Sequence, residues 1–228
     1  MIEDLKLGIK LLKYSLQFKM SVIVACIFIA IGLIYDMALV PISGTAISTY
    51  YLFGMVFGAQ MISSLNASSM VQSSPCKKRL QTRIMTAICV CMEIIPITVM
   101  LAIKAVQYYY KEDMRVYVIN SILIVSAAVL LLNLYMVMAT KFYWSSTIVF
   151  LVVVIFYVVF FIRGQYYRVA LHDVKMETIF SQLPFWGAVF ILYGAVVLGG
   201  VLIYVLSNLL YKREYSKMMF KTALERAK

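Results

Sequence analysis

Charge is scarce in this sequence, and acidic charge scarcer still. Of 228 residues only 14% are charged, with 10 Asp and Glu against 21 Lys and Arg, and one histidine, His172. A soluble domain carries about 25% charged and about 45–50% apolar residues. This chain is 64% hydrophobic, with a mean hydropathy of +0.92. A soluble fold is therefore excluded in favour of an integral membrane protein. The four cysteines, Cys26, Cys76, Cys89 and Cys91, include three inside apolar runs, where a thiol behaves as a small hydrophobe. With one histidine and no second cysteine pair, neither a metal site nor a disulfide is expected.

Other absences remove whole classes of chemistry. No GxxxxGK(S/T) occurs, so no nucleotide is held by a phosphate loop. No HExxH, GxSxG or cysteine–histidine cluster occurs, so the common zinc and serine hydrolases are disfavoured. Glu112, Asp113, Asp173 and Glu177 are scattered and read as solvated. The net charge of +11 does not point to nucleic acid, because the basic residues lie between apolar spans. They read instead as orientation signals and contacts for anionic headgroups. No small-residue cleavage site precedes a long span, so no secretory leader is expected.

What is present is a series of apolar runs. A helix needs about 20 such residues to cross the hydrocarbon core. Six runs qualify as spans: 20–40, 46–65, 84–103, 116–139, 145–162 and 185–211. The fifth is rich in Val, Ile and Phe but does not alternate with polar residues, which argues against a barrel strand. The expected fold is an all-α integral membrane protein of six helices. Six spans put both termini on one side. Fifteen of the 21 basic residues then share that side, against six opposite, which makes it the cytoplasmic one. Trp144, Trp186, Tyr108 to Tyr110, Tyr166 and Tyr167 mark headgroup levels.

The segments between the spans carry their own signals. In residues 1–19, Leu5, Ile9, Leu12 and Leu16 form a stripe at helical spacing, flanked by Lys6, Lys10 and Lys13. This predicts an amphipathic helix on the inner surface, with extension of the first span as the alternative. Leu7 and Leu11 interrupt its polar face. Residues 163–184 mix charge with Val169, Leu171, Ile179 and Phe180. Either one or two short helices dip into the outer leaflet there, or an amphipathic loop lies on the surface. Residues 212–228 form a basic tail.

Within the spans, Glu93 is the one carboxylate far from an end, since Asp36 lies close enough to an interface to snorkel. It lines a cavity or gate, or it pairs with a polar partner such as Asn120, Asn133 or Gln60. Pro96, three residues on, removes an amide and is expected to kink the helix or open its backbone. Gly54 and Gly58 form a GxxxG, and Gly194, Gly199 and Gly200 give the sixth span small residues; such faces let helices approach closely. The sequence leaves open whether these contacts lie within one subunit or between two.

The stretch SSPCKKRLQTR interrupts the apolar pattern at 73–83. The second span fades through SSLNASSMVQ, which predicts a short helix near 66–72, a turn at Ser73, Ser74 and Pro75, and a new helix carrying Lys77, Lys78, Arg79 and Arg83. This pattern resembles the ABC-2 type permease subunits of ATP-driven exporters, and the six-span topology is similar to theirs along the whole chain. Where that family often has Leu before the proline, this chain has Ser74.

The resemblance implies an inner coupling loop at 66–83 that docks on a separate ATPase through Ser68, Met70, Gln72, Ser73, Ser74, Pro75, Lys77, Lys78 and Arg79. Lys141 and Phe142 of the second inner loop would join that face. Glu93, Pro96, Gly54 and Gly58 would serve translocation or gating. It implies a dimer, homo- or heteromeric, whose cavity is lined by spans one, two and five. No cofactor would bind directly; ATP and Mg²⁺ would belong to an ABC ATPase dimer. The chain itself would be no enzyme. The small size is most similar to peptide or bacteriocin exporters, including phenol-soluble modulin exporters, of the Gram-positive cytoplasmic membrane. The cargo class is a hydrophobic or amphipathic peptide, toxin, antibiotic or lipid. The alternative is a small non-ABC transporter or membrane assembly factor.

Overall fold

The computed structural model describes residues 2–13, 18–38, 55–56, 61, 65–66, 68–110, 112, 115–142, 144–153, 155 and 183–214. Those residues are helical apart from short turns. In chain order the helices are α1 (Ile2–Leu12), α2 (Phe18–Ala38), α3 (Ser69–Gln72) and α4 (Lys77–Arg79), then a π-turn at Leu80–Ile84. They continue as α5 (Met85–Tyr110), α6 (Arg115–Lys141), α7 (Trp144–Val153) and α8 (Phe185–Leu209).

Among the described residues three helices are long and apolar enough to cross a membrane: Lys77–Tyr110, which joins α4, the π-turn and α5, then Val118–Lys141 of α6, and α8. The apolar stretches Phe18–Ile34 of α2 and Trp144–Val153 are shorter. The chain is thus an all-helical protein compatible with a multi-pass membrane location.

Helix ends follow local chemistry. Pro184 is extended (φ −67°, ψ 151°) immediately before α8, and its carbonyl accepts the amide of Ala188 at 3.2 Å. Proline fits the start of a helix because no amide is needed there. Hydroxyls inside the long helices donate back to carbonyls of the preceding turn. Thr98 reaches Ile94 at 2.7 Å, Ser121 reaches Val118 at 2.8 Å and Ser126 reaches Ile122 at 2.8 Å. Each such bond satisfies a donor that hydrocarbon cannot. The helix runs on through Pro96, which is buried. The irregular turn falls at Leu80–Ile84.

Helix α8, last in sequence, packs most extensively on α6 and then on α5, while α5 and α6 touch each other less. The core divides into two apolar clusters. One gathers Ile97, Met100, Ile119, Ile122, Val125, Ala188 and Leu192. The other gathers Leu12, Leu80, Ile84, Ile88, Met136, Val137 and Ile203.

The first cluster ends in aromatic rings. Tyr108 and Phe185 have centroids 5.1 Å apart, Phe185 meets Trp186 edge-on at 5.7 Å, and Arg115 lies over Tyr108 while pairing with Glu112 at 3.2 Å. The second cluster ends at α1, the 68–83 segment, Lys141 and residues 210–213. We refer to these as the aromatic end and the basic end.

Helix α1 packs on the π-turn and α5. Leu12 is buried, whereas Ile9 is 53% exposed. The closest approach is made by Gly8, where a Cβ would stand 2.6 Å from Ile88 Cδ1. A glycine at this position lets the helix sit down on Ile84 and Ile88, which rotates Ile9 outward. The side chain of Leu5, residue Leu16, the second span apart from a few positions, the end of the fifth span, 163–182 and the tail beyond Glu214 lie outside the described residues.

Candidate functional site

Two polar features stand out in this apolar frame: a buried pair between the clusters and a basic elbow at one end. Glu93 lies almost midway along Lys77–Tyr110 and is 3% exposed. Asn133 of α6, fully buried, donates from Nδ2 to Glu93 Oε2 at 3.2 Å. Of the three partners considered from sequence, Asn133 meets it, and Gln60 lies outside the described residues. Gly199 of α8 completes the arrangement, because a Cβ there would collide with the Asn133 amide. Gly200 beside it faces Val90, whose Cγ2 would be 2.8 Å from an added Cβ. Gly194, one turn earlier, has nothing within 4 Å. The three long helices are thus pinned at one level by a carboxylate, an amide and a glycine. Asn133 Oδ1 is buried with no hydrogen-bond partner. Gly54 and Gly58 lie outside the described residues.

The elbow is built from short-range bonds. Ser68 Oγ donates to Leu65 O at 2.6 Å and accepts the Val71 amide at 3.4 Å, which caps α3. Gln72 Nε2 donates to Asn66 O at 2.7 Å, and Asn66 Nδ2 reaches Met85 Sδ at 3.2 Å. These bonds tie the incoming strand of chain to the outgoing helix. Ser74 closes the turn: its Oγ accepts the Cys76 amide at 3.2 Å and its carbonyl accepts the Lys77 amide at 3.0 Å. Ser68 and Gln72 are therefore parts of the scaffold. Ser73, Pro75, Cys76, Lys78 and Arg79 are exposed on it, and Ser74 and Lys77 are half-buried. The side chain of Met70 lies outside the description.

Lys141 and Phe142 behave differently from the elbow lysines. Lys141 is the last residue of α6 and is 9% exposed. Its Nζ donates to Arg213 O at 2.7 Å, and the Arg213 guanidinium stacks 3.9 Å above the Phe142 ring. Lys78 reaches over Tyr211 at 5.9 Å. The sequence reading put Lys141 and Phe142 on an open face; the fold uses both to hold residues 210–213 against α6.

At 34 residues and about 1.5 Å per residue, Lys77–Tyr110 is about 51 Å long, against about 30 Å of hydrocarbon. A helix of that length projects beyond the core, so the elbow stands clear of it when Glu93 sits near the middle. Lys104, counted from sequence as lying in a loop, is instead buried inside α5. Among the described residues no group of three His, Cys, Asp or Glu could hold a metal. No protein-family model, curated protein or solved structure matches this chain.

Proposed function

We propose that this chain is the membrane subunit of an ATP-driven exporter with ABC-2-like architecture: six spans, both termini cytoplasmic, and a second permease subunit completing the path. The observation that carries the reading is the elbow. A short capped helix, a Ser-Pro turn and exposed Lys78 and Arg79 sit at one end of a helix longer than a bilayer core. Helix α1 and residues 210–213 share that end, which supports a common side for the two termini. The chain lacks a phosphate loop, so mechanical work has to arrive from a partner ATPase, with ATP and Mg²⁺ held there. Closure of the ATPase pair would push on 66–83 and tilt Lys77–Tyr110. The cargo is a hydrophobic or amphipathic peptide, toxin, antibiotic or lipid, and the compartment a bacterial cytoplasmic membrane.

The test is purification of the tagged chain from its native membrane with identification of co-purifying proteins. An ATPase is expected with the wild type and lost, or uncoupled from transport, in a Lys77→Glu, Lys78→Glu, Arg79→Glu variant. Unchanged coupling in that variant removes the docking role.

A second reading has its own observation. A carboxylate held at mid-helix by one amide suits a small secondary transporter as well as a structural pin. Loss of transport in Glu93→Gln, with the fold intact and no ATPase associated, would favour it.

A further inference from the structure

At the basic end a small cleft opens between the π-turn, the end of α6 and the end of α8. It is lined by Gln81, Thr140, Lys141, Ser207 and Tyr211, with Met85, Val137 and Leu210 as its apolar wall. Its volume is about 10 Å³, room for about one water-sized oxygen. Gln81 is 4% exposed, and its Nε2 is buried with no hydrogen-bond partner. A buried donor without an acceptor costs about 1–3 kcal/mol, so an oxygen from outside the chain, of a water or of a ligand, is called for there. The terminal torsion of a glutamine is soft, and a small rotation brings Nε2 toward an oxygen seated in the cleft.

The surroundings define that acceptor. The segments around the cleft, 68–83, 140–146 and 207–214, hold Lys77, Lys78, Arg79, Arg83, Lys141, Lys212 and Arg213 against Glu214 alone. Lys141 lines the cleft, and the half-buried Lys77 lies on the segment that leads into Gln81, so both add positive charge at this end. An anion placed there relieves their repulsion. Hydroxyls of Ser207 and Tyr211 add further hydrogen-bonding groups at the rim, whereas that of Thr140 donates to Val137 O at 2.7 Å. The cleft lies where α6 and α8 both reach the ends of their apolar stretches, which on the membrane reading falls near the lipid headgroups. A whole headgroup does not fit into 10 Å³, but one non-bridging phosphate oxygen does.

We infer that this cleft seats a phosphate oxygen of an anionic membrane lipid, with Gln81 and Lys141 as its holders. The assignment rests on the membrane reading alone and stands whether or not an ATPase docks on the elbow. It predicts preference for a lipid with net negative charge over one whose headgroup carries a fixed cation, since Lys77, Lys78 and Arg213 repel the latter.

The test uses the full-length protein in mild detergent, with retained lipids counted by native mass spectrometry and thermal unfolding followed in parallel. Phosphatidylglycerol, phosphatidylcholine and inorganic phosphate are the probes. Phosphatidylglycerol is expected to be retained and to raise Tm; phosphatidylcholine is not, because its headgroup carries a fixed cation, and inorganic phosphate is not, because it lacks a lipid's apolar anchoring. Gln81→Leu is expected to lower phosphatidylglycerol retention about tenfold, as loss of one hydrogen bond to a charged group implies. The same variant should not lower Tm without lipid, because it removes an unsatisfied donor. Lys141→Gln should also lose retention, and Lys13→Gln, an exposed lysine that does not line the cleft, should keep it. Equal retention of phosphatidylglycerol by wild type, Gln81→Leu and Lys141→Gln overturns the inference. So does equal loss in Lys13→Gln, which would mean diffuse attraction, and so does full protection by inorganic phosphate, which would exclude the lipid.

Discussion

Glu93 and Lys78 belong to the same continuous helix, yet the fold treats their charges in opposite ways. Glu93 is turned into the bundle, met by Asn133 and closed over by Gly199. Lys78 is turned out of it, on a turn whose own bonds are satisfied locally by Ser68, Gln72 and Ser74. The mid-helix polar groups are consumed by holding three helices together. The elbow groups are held in place by others and left to face outward. A residue of the first kind should matter to stability, and a residue of the second kind to a partner.

The largest effect should come from breaking the inward site. Gly199→Val places two methyl groups against the Asn133 amide, and overpacking of this kind costs about 1–3 kcal/mol. The expected outcome is a lower Tm and loss of the monodisperse peak in size-exclusion chromatography. Asn133→Leu should cost less, about 0.6–1.7 kcal/mol, the range of interhelical hydrogen bonds in membranes. Glu93→Gln retains an acceptor for Asn133 Nδ2 and should cost less than Asn133→Leu in the same unfolding assay.

Gly194→Ala sharpens the contrast from the other direction. It lies on the same helix as Gly199 but meets nothing within 4 Å, so alanine should raise Tm through helix propensity, by at most about 1 kcal/mol. The smallest effect on stability should come from the elbow surface. Charge reversal at Lys78 and Arg79 should leave Tm unchanged within error, since exposed charges rarely contribute more than about 1 kcal/mol. If that variant unfolds as readily as Gly199→Val, the distinction between inward and outward charge fails.

Much of this arrangement is written in the sequence because hydropathy and local chemistry write it. Apolar runs near 84–103, 116–139 and 185–211 became long helices; Pro184 marked the start of α8; the fading apolar character before Pro75 became a short helix and a turn. Asn133 was one of three candidates for Glu93, and spacing alone had no means of choosing among them, because the choice depends on which helix lies beside which. That order is the least legible part. Lipid tails are as apolar as leucine, so hydropathy does not say that α8 packs on both α5 and α6. Gly8, Gly199 and Gly200 did carry a signal, being small residues in helices, but a small residue marks a close approach only once its neighbour is known. Lys141 looked like an exposed loop lysine because its partner, the carbonyl of Arg213, is a backbone group that no side-chain pattern reveals. The π-turn at Leu80–Ile84 left no mark in composition.

The central claim is that the elbow offers its basic surface to an ATPase while the Glu93–Asn133–Gly199 level holds the helices. The most direct measurement is ATPase retention by the chain purified from its native membrane, compared between wild type and the Lys77→Glu, Lys78→Glu, Arg79→Glu variant at matched Tm. The account predicts a co-purifying ATPase with the wild type and at least a tenfold loss in the variant, which corresponds to about 1.4 kcal/mol of binding. Equal retention by both, or no ATPase with either, would contradict it.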